Sequence, residues 1–236
     1  MGSMFGKYYT PQQPGSFLAA SGFAKTNKIN KQKFDKWALK QTAISLHKPR
    51  RKRFPRSKTI APTHNFQGQA DLIDMTNISK YNAYKYILVY IDVFSRFVYA
   101  IPLKDKTALS VTKAFQQIFS KEQPQMLQTD AGTEFKNSTM QTFLKSKNIT
   151  HFHTWNFDTK ATLAERFIQT IKTKIYRYFT AKNTYKWDDV LQKMIKSYNN
   201  SIHRTLKMTP NNARRPENNL VLWHRQYSKS IKKNNE

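Results

Sequence analysis

The order of apolar segments between residues 66 and 202 limits the fold more than any other feature of the sequence. Runs rich in β-branched and aromatic residues at 69–75, 84–93 and 97–103 predict three successive strands, and their short connections predict an antiparallel meander. Helical and strand periodicities then alternate along the chain, in segments at 107–119, 126–129, from Ser138 onward, 149–154, 161–182 and 187–200. This order predicts a mixed α/β domain.

The two ends of the chain differ from this centre. Residues 1–24 lack apolar periodicity, so we expect them to be mobile or extended unless DNA or a partner holds them, whereas Phe34 and Trp37 indicate a short helix. The run KPRRKRFPRSK at 48–58 holds seven cations and two prolines, which predicts an irregular basic linker. We therefore divide the chain into a basic N-terminal region, a core, a C-terminal helical extension and a basic tail, at 1–62, 63–182, 183–215 and 216–236.

The charge of the chain indicates its class of partner. Forty-one Lys and Arg against fourteen Asp and Glu give a formal net charge of +27, which favours a polyanion such as nucleic acid. No apolar stretch approaches the roughly 18 residues of a membrane span, and no signal-peptide core is visible, so we expect an intracellular protein with no membrane partner. Without cysteine, a metal must be held by oxygen or nitrogen, which favours hard cations such as magnesium.

Three acidic residues occupy informative places in this order of elements. Asp71 lies in the first predicted strand, Asp130 at the end of the fourth, and Glu165 early in the long helix. Phosphodiester transfer can use two adjacent divalent cations held by such oxygen ligands from separate elements. Asp130 would bridge both cations, Asp71 would share one or both, and Glu165 would complete the second. For any one of these acids taken alone, a solvated or capping role is the alternative.

The sequence around these acids resembles retroviral-type integrases with a DDE catalytic core, and more closely those of Maverick or Polinton transposons and virophages. The strings that carry the resemblance are QADLIDM at 69–75, YKYILVYIDVFSRFVYAIPLKDKT at 84–107, LQTDAGTEF at 127–135, KATLAERFIQTIK at 160–172, HKPRRKRFPR at 47–56 and YNNSIHRTLKMTP at 198–210. The resemblance implies that 63–182 is a ribonuclease-H-like catalytic core, a mixed five-stranded sheet flanked by helices, following a small basic N-terminal helical region.

The resemblance also implies an activity. The catalytic and metal-binding triad would be Asp71, Asp130 and Glu165, holding two Mg²⁺ or Mn²⁺ ions. The reaction would be 3′-end processing followed by strand transfer of transposon or viral DNA into target DNA, by a homo-oligomer that is at least a dimer. Departures from the family pattern are Gly68 in place of a tryptophan, Gln169 in place of a lysine, and the absence of a His and Cys zinc module near the N-terminus.

Seven cations are candidates for contact with DNA. Lys172 is the best placed because it shares the helix face of Glu165, and Lys174 and Arg177 follow on the same helix. The remaining candidates lie in the basic linker: Arg50, Arg51, Lys52 and Arg53. A solvated charge run, or a nuclear-localisation signal in the linker, is the alternative interpretation.

Other polar residues receive structural interpretations. Asp74 is an alternative first ligand, although it would face the opposite side of its strand from Asp71. Asp92 would bond Ser95 or Arg96, and Glu134 would orient the loop after Asp130. The three remaining groups are histidines and a tryptophan: His151 and His153 share a strand face, His203 is expected to be packed and hydrogen-bonded, and Trp155 precedes the long helix.

Two other functions remain open on the sequence alone. The charge of +27 would suffice for a non-catalytic DNA-binding or packaging protein derived from an integrase, and the same core could belong to a hydrolytic ribonuclease-H-like nuclease. For each, we expect the protein to act in the host nucleus or at a viral replication site.

Overall fold

A five-stranded mixed sheet forms the centre of the computed structural model, which describes residues 6–18, 20–47, 59–153 and 162–232. The strands are β1 (Gln67–Asp74), β2 (Tyr86–Asp92), β3 (Val98–Leu103), β4 (Met126–Thr129) and β5 (Thr150–His153). They lie in the order β3-β2-β1-β4-β5, with β1, β2 and β3 antiparallel and with β4 and β5 parallel to β1. The predicted meander and the predicted α/β class are both confirmed.

Helices cover both faces of this sheet. The described helices are α1 (Ala20–Thr26), α2 (Lys31–Leu39), α3 (Thr42–Ser45), α4 (Ala108–Phe119), α5 (Ser138–Ser146), α6 (Thr162–Lys182), α7 (Leu191–Asn199), α8 (Pro210–Ala213) and α9 (Asn219–Lys232). The apolar sides of α4 and α5 pack on one face, and those of α6 and α7 pack on the other. The helix predicted at 187–200 is shorter, since it starts at Leu191.

The position of β2 between two layers of helices explains why its sequence is apolar without alternation. Leu88 and Tyr90 pack towards α4, whereas Ile87, Val89 and Ile91 pack towards α6, so both faces of the strand are buried. Each buried aliphatic side chain of this kind contributes about 1.5–3 kcal/mol to folding. The strand therefore fixes the two layers of helices against one shared sheet.

The expectation that residues 1–24 are mobile or extended is wrong for the described part of that segment. Tyr8, Phe17, Phe23 and Phe34 form an aromatic cluster that is almost completely buried. Arg177 of α6 donates to the carbonyl of Phe17 at 2.8 Å and to the Tyr8 hydroxyl at 3.2 Å. The segment lacks periodicity because these aromatic side chains come from turns and short helices rather than from one amphipathic helix.

The basic tail predicted at 216–236 also folds where the structure describes it. Helix α9 buries Leu222 and Tyr227, and the backbone N–H of Ala61 donates to the Tyr227 hydroxyl at 3.0 Å. Gln226 accepts a hydrogen bond from Arg96 at 2.9 Å. The C-terminal segment is therefore a helix docked on the end of the sheet.

Two smaller findings complete the fold. Asn137, not Ser138, caps α5, because its side chain accepts from the backbone N–H of Met140. The cap therefore lies one residue before Ser138, where the predicted segment begins. Among the described parts of the chain, no helix is both long and apolar enough to cross a membrane.

Candidate active site

Asp71 lies in the middle of the sheet and on the face covered by α6. Side chains alternate along a strand, and its neighbours on that face are Gln69, which bonds α6, and Ile73, which packs in the core against α6 and α7. The Asp71 carboxylate is half-buried and accepts a hydrogen bond from the backbone N–H of Leu72 at 2.7 Å. One carboxylate is thus fixed at the centre of the protein.

Asp130 follows the parallel neighbour of that strand. The register pairs Gln69 of β1 with Gln128 of β4, so continuing both strands by two residues brings Asp130 level with Asp71. Asp130 is exposed just after β4, and its carboxylate accepts from the backbone N–H of Gly132 at 3.1 Å. The adjacent parallel strands β1 and β4 therefore bring two carboxylates to the same level of the sheet.

Glu165 comes from the first turn of α6, whose start is fixed by the sheet. The side-chain oxygen of Gln69 accepts from the backbone N–H groups of Leu163 and Ala164, at 2.9 and 3.3 Å. These N–H groups belong to the unpaired start of the helix, so Gln69 acts as a cap supplied by another element. Gln69, two residues before Asp71, thus holds the turn that carries Glu165.

The electrostatics show that the acids share one neighbourhood. The pKa of Asp71 is raised to about 6, chiefly by burial and in addition by the negative charges of Asp130, Glu165 and Glu134, while the Leu72 hydrogen bond opposes the rise. Within the described ranges, no three Asp, Glu or His side chains are gathered closely enough to hold one metal ion. The acids lie within electrostatic reach of each other without forming a closed ligand sphere.

Gly132 separates two of these carboxylates. A Cβ atom at this position would lie 2.6 Å from Oε2 of Glu134 and 3.1 Å from Oδ1 of Asp130. A side chain at this position would therefore displace the flexible end of Glu134 and press on the Asp130 carboxylate. Glu134 accepts a hydrogen bond at its backbone carbonyl from Asn137, the cap of α5, which is consistent with a role in orienting the loop.

Asp74, the alternative first ligand, has a different role. Its exposed carboxylate accepts from the backbone N–H and the hydroxyl of Thr76, at 2.8 and 2.6 Å. These hydrogen bonds lower the pKa of Asp74. Asp74 closes the turn after β1.

Asp92 is structural, as its sequence context indicated. Its buried carboxylate accepts from the backbone N–H groups of Phe94 and Ser95 and from the Ser95 hydroxyl, at 3.0 to 3.2 Å. It also lies 3.2 Å from His64, which in turn lies 3.4 Å from Glu122. Asp92 therefore shapes the turn after β2.

The histidines of β5 form a network behind Asp130 that the sequence interpretation did not anticipate. His151 and His153 both lie within hydrogen-bond distance of the Thr129 hydroxyl, at 3.0 and 3.2 Å, and His153 Nδ1 lies 2.8 Å from the backbone carbonyl of Asp130. Gln141 of α5 contacts His151 at 2.7 Å. The alternation of His151 and His153 on one strand beside Asp130 was the sequence signal that could have predicted this network.

His203, as expected, is hydrogen-bonded, because its Nδ1 accepts from the backbone N–H of Thr205.

The candidate DNA-contact cations fall into three groups. Lys172 is half-buried and lies about two helical turns after Glu165 on the same face of α6. Lys174 and Arg177 are only 1% and 3% exposed, so the prediction that they meet phosphates from the helix surface is wrong. Lys174 donates to the Ser197 hydroxyl at 3.4 Å, and Arg177 holds the N-terminal segment. The linker candidates at 50–53, like Trp155, lie outside the described residues.

The comparisons with known proteins agree with this geometry. Residues 65–156 match the model of the integrase core domain family. An uncharacterised transposon-derived protein of Caenorhabditis elegans is 32% identical over 127 residues, covering 53% of this chain and 44% of that protein. The Pol polyprotein of radiation murine leukemia virus is 34% identical over 119 residues, covering 49% of this chain and 20% of that protein. The chain thus spans less than half the length of these curated relatives.

Solved structures show the same fold. The HTLV-2 integrase catalytic core domain, solved in complex with magnesium in a trimeric form, superposes with a TM-score of 0.54 at 24% identity, covering 65% of this chain and 98% of that one. An intasome of simian T-cell lymphotropic virus matches with a TM-score of 0.54 at 20% identity, over 66% of this chain and 57% of that one. The central domain therefore has the ribonuclease-H-like fold of retroviral integrase catalytic cores.

Proposed function

We propose that this protein is a metal-dependent DNA integrase that processes the 3′ ends of transposon or viral DNA and transfers them into target DNA. The observation that carries the proposal is the half-buried Asp71 carboxylate, whose pKa is raised to about 6 by burial and by the acids supplied from β4 and α6. Burying uncompensated carboxylates is costly, so such a group favours a site completed by cations. The match of residues 65–156 to the integrase core domain supports the same conclusion.

The residues present fit a pair of hard divalent cations. Asp71, Asp130 and Glu165 offer only carboxylate oxygens, which suit Mg²⁺ or Mn²⁺. Bound there, two such ions supply an activated oxygen nucleophile and neutralise the charge of the phosphodiester transition state. The HTLV-2 core was solved with magnesium, which supports this assignment.

The chain's own groups would position these ligands and the DNA. Gln69 holds the start of α6 and with it Glu165, while Gly132 leaves room beside the carboxylates of Asp130 and Glu134. Lys172 would bind a phosphate near the reacting end, and the linker cations at 50–53 would add sequence-tolerant affinity. We propose a homo-oligomer of at least two chains, acting in the host nucleus or at a viral replication site.

The test uses end-labelled donor DNA, a target plasmid and Mg²⁺ or Mn²⁺. Wild-type protein should join label covalently to the plasmid, and Glu165→Gln should abolish joining while DNA affinity changes less than about threefold. Asp74→Asn is the matched control, since it removes a carboxylate from the same neighbourhood that our assignment leaves out of the site. It should retain joining.

Two results would replace this proposal. If wild-type protein binds DNA but neither cleaves nor joins it, the chain is a DNA-binding or packaging protein, which its charge of +27 would allow. If it releases label from the donor ends in a Glu165-dependent way but never joins them to the plasmid, it is a hydrolytic nuclease.

A further inference from the structure

A cavity of about 360 Å³ lies on another side of α6 from the acids. Glu165 and Lys172 lie on a different face of α6 from the residues of that helix that line the cavity, which are Leu163, Arg166, Phe167 and Thr170. The loop after α7 and the N-terminal region close the other sides, through residues that include Ser201 and Leu18. The cavity is therefore separate from the carboxylate site and near it along one helix.

The polar lining of this cavity is cationic. Arg96, Arg166 and Arg204 line it, and no Asp or Glu is among the described residues that do. Arg96 is buried and fixed by Gln226, while Arg166 and Arg204 are exposed and form no ion pair with an acid in the described parts of the chain. Burial, together with the positive charges of Arg96 and Arg204, lowers the pKa of His203 to about 4. The cavity thus has a positive potential that favours an anion.

The remaining lining suits a flat apolar group. Phe167 packs edge-on against Tyr198, with ring centroids 4.8 Å apart and an interplanar angle of 73°, and Ile91 and Leu163 continue the apolar wall. Ligand pockets of this kind usually have volumes of about 300–1,000 Å³. An apolar interior with guanidinium groups at the rim matches a ligand that has an aromatic base and a phosphate.

We propose that this cavity binds one unpaired nucleotide of the DNA, with its phosphate held by Arg166 and Arg204 and its base against the half-buried Tyr198. Arginine binds phosphate with two parallel hydrogen bonds, and bases stack on aromatic side chains with little sequence preference. The inference rests on the proposed function in that DNA is the ligand. It adds a second nucleic-acid contact that holds a strand beside the acids and takes no part in the reaction.

The test measures binding of thymidine 5′-monophosphate to the full-length protein without metal, by titration calorimetry, with thymidine and inorganic phosphate as comparison ligands. Arg166→Gln and Arg204→Gln should each weaken nucleotide binding about tenfold, as expected for loss of a charge-assisted hydrogen bond. Arg215→Gln is the matched control, because it removes an exposed arginine that does not line the cavity, and it should leave affinity unchanged. Both comparison ligands should bind at least tenfold more weakly than the nucleotide.

A second measurement locates the bound base. Photo-crosslinking with 5-iodo-2′-deoxyuridine monophosphate should attach the base to Tyr198, identified by mass spectrometry. The inference is overturned if Arg215→Gln weakens binding as much as Arg166→Gln, if phosphate binds as tightly as the nucleotide, or if the crosslink lies elsewhere. These outcomes are independent of Glu165, so strand transfer can succeed while the nucleotide site fails, and the reverse.

Discussion

Asp71→Asn should make the metal-free protein more stable. The pKa of Asp71 rises from 3.8 to about 6 in the folded protein, chiefly because burial disfavours its charge. A shift of about two units corresponds to about 3 kcal/mol of unfolding free energy, lost as pH rises from about 4 to about 6. Asparagine never ionises and keeps the oxygen that accepts from Leu72. Because its buried amide group costs part of this gain, we expect a net stabilisation of about 1–3 kcal/mol at pH 7.5.

Urea unfolding in EDTA at pH 4 and pH 7.5 measures this effect. At pH 4, where Asp71 is neutral in the folded protein, the variant should be no more stable than wild-type protein, and at pH 7.5 it should be more stable. Asp74→Asn is the control, since hydrogen bonds to Thr76 lower the pKa of Asp74 and its substitution removes no buried charge. Added Mg²⁺ should raise the stability of wild-type protein and not that of Asp71→Asn. Equal stability of the two proteins at pH 7.5, or the same gain in stability at pH 4, would show that burial does not disfavour the charge of Asp71.

Three further predictions concern other parts of the structure. Gly132→Ala should reduce strand transfer about tenfold or more, measured as initial rate, with little change in urea midpoint, because its Cβ would press on Glu134 and Asp130; an unchanged rate would contradict this. Lys174→Met should stabilise the protein more at pH 6 than at pH 10 in urea unfolding, because burial lowers the pKa of Lys174 to about 7. If the same variant also lost DNA affinity, Lys174 would be a DNA contact after all. Burial lowers the pKa of His64, but its hydrogen bonds to Asp92 and Glu122 outweigh burial and raise the pKa to about 9. Protonated His64 therefore stabilises the fold fully below pH 6.5, and this stabilisation is lost as pH rises through 9. Glu122→Gln should flatten the pH dependence of the urea midpoint over this range, and an unchanged profile would show that Glu122 does not hold the proton on His64.

The sequence predicted the sheet well because its signal is local. Alternation and apolar runs depend on which faces of a strand are buried, so the runs at 84–93 and 97–103 identified β2 and β3 to within a few residues. The long helix α6 followed from its apolar stripe of Phe167 and Ile171 in the same way.

The sequence could not predict contacts made between distant segments. Nothing near Arg177 indicates that it holds the carbonyl of Phe17, which lies 160 residues away, and only its place on the long helix suggested a contact with DNA. Burial of Lys174 depends in the same way on α7, whose Ser197 hydroxyl accepts its hydrogen bond. Docking of α9 depends on Ala61 and Arg96, which lie far from it in sequence.

The candidate site shows the same division. The sequence placed Asp71 in the first strand and Asp130 at the end of the fourth, whereas the pairing of these two strands is given by the structure. That Gln69 caps the helix carrying Glu165 depends on the register between β1 and α6, which only the three-dimensional structure gives.

Anomalous diffraction from crystals of the protein bound to donor DNA in Mn²⁺ would show directly whether Asp71, Asp130 and Glu165 bind the metal ions. We expect two manganese peaks about 3.5–4 Å apart, with Asp130 bridging them and with Asp71 and Glu165 as further ligands. Manganese bound elsewhere in that complex, with these three carboxylates on separate surfaces, would contradict the assignment.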